Sequence, residues 1–150
     1  MILSKNTVVS AGYAALLWTT AASADCGQKD LKGAFGFAGS SNVQQFLKDG
    51  VVRFDPYTEI GLVTYDGSGN ATLNAIASFH GTESKLVAKG TYEVKPACTA
   101  AVTWVAEDGK EIGRYLLVIV QSGNELETLD VRSGPSTKHS FAISFVQKRQ

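Results

Sequence analysis

The chain has 150 residues, 44% of them hydrophobic and 19% charged, with a formal net charge of +0. That length predicts one domain, and that balance excludes a disordered chain. With no basic excess there is no electrostatic footprint for nucleic acid, and no long like-charged tail is present.

Residues 1–24 read as a secretory signal peptide. Lys5 precedes an apolar run over 7–20, and Ala22-Ser23-Ala24 supplies an A-x-A cleavage signal. The run is too short for a transmembrane anchor. A buried N-terminal helix and a lipoprotein attached at Cys26 are the alternatives. Asp25 stands where lipid attachment wants a small residue. Cleavage near Ala24 leaves 25–150 as a single domain, secreted or periplasmic. An oxidising compartment then predicts a disulfide between Cys26 and Cys98 rather than two free thiols, contributing about 4 kcal/mol on the chain-entropy model.

The mature chain shows no sustained helical period. Short runs of β-branched and aromatic residues alternate with Gly, Asp and Asn turns. A first strand is predicted over 34–38. Residues 44–54 fit either a helical turn or an edge strand broken at Asp49-Gly50. A strand over 59–65 enters the turn Asp66-Gly67-Ser68-Gly69-Asn70, and a strand over 71–80 leaves it. Over 85–94, Leu86, Ala88, Tyr92 and Val94 share one face. A strand over 99–106 follows, and Asp108-Gly109 fits a type I′ turn. The run 111–121 carries large apolar side chains on both faces, which predicts cover on both sides. Strands over 125–132 and 138–148 complete the chain. In the last of these His139, Phe141, Ile143 and Phe145 share a face.

About eight strands joined by short turns predict an all-β fold, an antiparallel up-and-down β-barrel, with a two-sheet β-sandwich as the alternative.

The segment 65–72, Tyr65-Asp66-Gly67-Ser68-Gly69-Asn70-Ala71-Thr72, resembles the FDGxGNxT hairpin of small exported bacterial proteins of unassigned function. Gly90-Thr91-Tyr92-Glu93-Val94 and then Cys98-Thr99 are similar to their GTYxVxxxCT segment, and 33–37 to their first strand. The scaffold resembles the calycin-like barrels: lipocalins, allene oxide cyclases and dirigent-like proteins. That resemblance implies an up-and-down barrel with an apolar interior. Phe35 stands where a lipocalin carries Trp, and no cyclase catalytic motif is matched.

No nucleophile elbow, zinc-protease helix motif or phosphate loop is present. The 66–70 turn lacks the downstream acids of a calcium loop. His80 and His139 sit at strand ends without a carboxylate at metal-ligand spacing. Neither a metal nor a cofactor is therefore expected. Asn70-Ala71-Thr72 matches a glycosylation acceptor, but a tight-turn Asn accounts for it.

The aromatic residues carry the functional reading. Phe37, Tyr65, Phe79, Trp104 and Tyr115 fall on predicted strands, with Arg114 and Glu127 as polar groups near apolar strand centres. Together they form the candidate ligand-binding set of a small barrel. A binding protein for a small apolar molecule ranks first. A structural or surface-interaction protein with a filled core is the second reading, and a cofactor-free cyclase or isomerase the third. The sequence does not fix the oligomeric state.

Overall fold

In the computed structural model, residues 25–46, 52–132 and 139–150 are described. The proposed signal peptide, residues 1–24, lies outside them. Eight strands follow in order: β1 (Lys32–Phe46), β2 (Val52–Asp66), β3 (Asn70–Phe79), β4 (Thr82–Lys95), β5 (Thr99–Val105), β6 (Glu111–Val120), β7 (Glu125–Arg132) and β8 (His139–Arg149). Each pairs antiparallel with the next, and β8 returns to β1 to close the barrel. Closure leaves no free sheet edge, which sets the sandwich aside.

β1 and β2 are longer than predicted. Of the segment 44–54, residues 44–46 belong to β1 and 52–54 to β2, and the rest, including Asp49-Gly50, lies outside the described residues. The two strands stay in register from Lys32↔Asp66 to Phe46↔Val52, so the ladder carries residues that read as irregular in isolation.

Turn chemistry fixes the hairpins. The Asp66 carboxylate accepts hydrogen bonds from the backbone N–H of Ser68 (2.7 Å) and Asn70 (3.0 Å), and from the Asn70 side chain (2.6 Å). Gly67 and Gly69 adopt φ of +82° and +110°, values an L side chain resists. The type I′ reading of Asp108-Gly109 is corrected. Only Gly109 has positive φ, and its N–H donates to the Ala106 carbonyl, giving a type I turn followed by a left-handed glycine.

The second correction concerns β6. Tyr115, Leu117 and Ile119 are buried, but Leu116 and Val118 are 41% and 45% exposed. This strand is covered on one side only.

One end of the barrel, the disulfide end, is sealed by the chain start. Cys26 and Cys98 are bonded across a sequence separation of 72. A 3-10 turn (Gln28–Asp30) then delivers Leu31, fully buried, into the barrel mouth. The Tyr92 hydroxyl donates to the Leu31 carbonyl (2.7 Å) and accepts from the Gly67 N–H (2.9 Å), joining the plug to the 66–70 turn. Arg149 donates to the Gly123 carbonyl (2.7 Å) and lays its guanidinium over the Phe35 ring.

Candidate functional site

Strand alternation sends one set of side chains inward, and that set is uneven around the barrel. On one side Gly61, Ala75, Ala77 and Ala88 make a wall of small residues. From the other side come rings in sequence: Phe37 stacked on Phe145 (4.9 Å between centroids), Phe145 edge-on to Tyr115 (5.5 Å), and Tyr115 edge-on to Trp104 (5.2 Å).

Trp104 is placed by two glycines. Its register partners are Gly90 on β4 and Gly113 on β6. A Cβ at Gly90 would lie 2.8 Å from the indole, so the ring occupies space that any other residue would take. The indole is 1% exposed, and its Nε1 has no hydrogen-bond acceptor among the described residues.

Polar groups share this interior. Tyr65 donates to Gln147 (3.3 Å), and Gln147 in turn to Thr128 (2.9 Å). Burial pushes the Tyr65 phenol far above its ordinary pKa, against the opposing pull of the Gln147 hydrogen bond. Toward the end opposite the disulfide, the interior turns acidic. Asp55, Glu59 and Asp130 are 1%, 3% and 0% exposed. Tyr57 donates to Glu59 (2.8 Å). Asp55 is held at the rim by Arg53 (2.9 Å) and by His80 Nε2, both half-exposed. We refer to this as the Asp55 end.

The predicted residues divide. Phe37, Tyr65, Trp104 and Tyr115 face the interior and are buried. Phe79 points the same way, half-buried at the Asp55 end. Arg114 and Glu127 do not join them. Both are exposed on the outer face, where they line a groove with Leu116, Val118 and Leu129. Named from sequence as polar groups near apolar strand centres, both face outward: each lies one residue out of phase with the buried set of its own strand. His80 is at a strand end as expected, and the side chain of His139 lies outside the described residues.

Asp55, Tyr57, Glu59, Asp130, Thr128 and Gln147 were not anticipated from sequence. Counting by twos from Tyr65 back along β2 reaches Tyr57 and Asp55. The hydrophobic pattern hides this phase, because the outward Phe54, Ile60 and Leu62 are the more apolar set. Among the described residues no three His, Cys, Asp or Glu side chains converge as a metal site. No helix among them is long and apolar enough to cross a membrane.

No protein-family model matches the chain, and no curated protein matches it significantly. One solved structure is similar, "EF1p2_mFAP2b bound to DFHBI", with a TM-score of 0.52 and 13% sequence identity, covering 83% of this chain and 100% of that chain. At that identity the likeness bears on the fold, which it supports.

Proposed function

We propose that this is an exported, calycin-like barrel that binds a small, largely apolar molecule in the interior half toward the Asp55 end. The observation that carries the reading is the Trp104 N–H: a donor in a side chain 1% exposed, beside the Tyr115 ring, without an acceptor among the described residues. A buried donor left unmade costs about 1–3 kcal/mol, and a ligand carbonyl or ring nitrogen in the barrel would recover it. The small inward residues Ala75, Ala77 and Ala88 fill less of the interior than rings would, and the similar barrel is named as bound to one small molecule, DFHBI. The disulfide is consistent with export to a secreted or periplasmic setting. A cofactor-free cyclase or isomerase is the second reading. Asp55, buried and held by His80, is the acid–base group it would use.

Native mass spectrometry of the exported protein tests the first reading. The expected result is a bound small molecule that is released on denaturation. Trp104→Phe, which keeps a ring and removes the donor, should weaken its retention about tenfold. Apo mass alone in every preparation would remove the binding function.

A further inference from the structure

We propose that the outer face of β6 and β7 joins two copies of this chain in an isologous dimer. The inference does not depend on what the barrel interior binds. Leu116, Val118 and Leu129 are 41%, 45% and 39% exposed and adjacent, with Leu116 and Leu129 directly paired in register. The flanking strands present small outward residues, Ala101 and Thr103 on β5 and Ala142 and Ser144 on β8. The leucines are therefore not screened by long neighbours. The other outward apolar cluster differs: Ile76 is paired with Lys85, and Val87 sits between Lys85 and Lys89. The like charges of Lys85 and Lys89 beside that cluster oppose its pairing with a second copy.

Charge selects the occupant of the β6–β7 face. Arg114 is paired with Val131, Leu116 with Leu129, and Val118 with Glu127. The cation and the anion therefore stand on opposite sides of the Leu116/Leu129 pair, about 14 Å apart along the strands. Neither holds an ion pair among the described residues. A two-fold axis lying in the interface and crossing the strands at that pair sets Leu116 on Leu116 and Leu129 on Leu129. The same operation puts Arg114 of each copy over Val118 of the other, one strand spacing (about 4.8 Å) from the Glu127 beside it and within reach of its carboxylate. The face is thus its own complement in both apolar surface and charge. An apolar peptide would leave both charges unanswered, and an anionic lipid surface would oppose Glu127. The net charge of +0 adds no long-range repulsion between copies.

Sedimentation equilibrium over a concentration series tests this on the exported protein. The wild type should be dimeric. Arg114→Glu and Glu127→Arg should each weaken association on the order of a hundredfold, since each creates two like-charge contacts per dimer. The double variant R114E/E127R, which restores both pairs in reverse, should recover the dimer. Circular dichroism melting of each variant separates loss of association from loss of fold. A wild type monomeric throughout the series overturns the proposal. So does a double variant no better than either single one, or a monomer that floats with phosphatidylcholine vesicles, which would give the face to a lipid surface.

Discussion

At the disulfide end the barrel is stopped by a covalent bond, a fully buried leucine and the neutral hydroxyl of Tyr92. At the Asp55 end the buried groups are carboxylates, and the partners of Asp55 at the rim are half in water. The first arrangement lowers the entropy of the unfolded chain and gives the Leu31 carbonyl and the Gly67 N–H a buried partner. The second keeps charge out of water, which is costly and is sustained only with partners. Stability is thus concentrated at one end, and chemistry suited to contact with a second molecule at the other.

The largest test of that asymmetry removes the staple. Replacing both cysteines, Cys26→Ser with Cys98→Ser, should cost about 4 kcal/mol for the loop of 72 residues, read by urea unfolding. A loss below about 1 kcal/mol would mean that Leu31 and Tyr92 seal the end without the bond.

A smaller effect separates the ends directly. Tyr92→Phe removes the hydroxyl between the Leu31 carbonyl and the Gly67 N–H and should cost about 1–3 kcal/mol, because both groups lose a buried partner. Asp55→Asn should cost about 1 kcal/mol, since half-exposed Arg53 and His80 return to water. If Asp55→Asn proves the more damaging, the comparison is inverted and the Asp55 end is the structural one.

Much of this was legible in the sequence, and the reasons differ by region. The Cys26–Cys98 bond was legible because a chain with two cysteines has one simple intramolecular oxidised state. The burial of Trp104 follows from alternation in a strand whose other face is poorer in large apolar groups. The 66–70 turn follows from Asp, Gly and Asn chemistry. β2 was legible as a strand over 59–65 but its inward phase was not, because its exposed face is more apolar than its buried one, and only barrel closure decides which phase points inward. The same ambiguity left the direction of Arg114 and Glu127 open. They border buried positions in sequence, but pleating turns them outward. Gln147 was missed for a related reason. It continues the phase of Ile143 and Phe145, but pattern reading gives no weight to a buried amide whose partners, Tyr65 and Thr128, come from two distant strands.

The smallest effect concerns proton balance. The sealing end holds neutral phenols, so its pH sensitivity should lie on the alkaline side. The Tyr65 phenol is raised by burial, and Tyr92 is raised by the same cause. A phenol raised in the folded state contributes stability that is complete below its unfolded pKa, near 10, and that is lost as pH rises toward the folded value. Over that interval the unfolded chain ionises Tyr65 while the folded chain does not, so stability falls by up to about 1.4 kcal/mol per pH unit for this one group. Tyr65→Phe also loses the hydrogen bond to Gln147, which lowers stability by a similar amount at every pH. The diagnostic quantity is therefore the slope. Urea unfolding of the wild type and Tyr65→Phe at pH near 9, 10 and 11 should give lines that converge as pH rises, because only the wild type pays for keeping that phenol protonated. Parallel lines would place Tyr65 in contact with water and shift the boundary of the sealed end inward past Gln147.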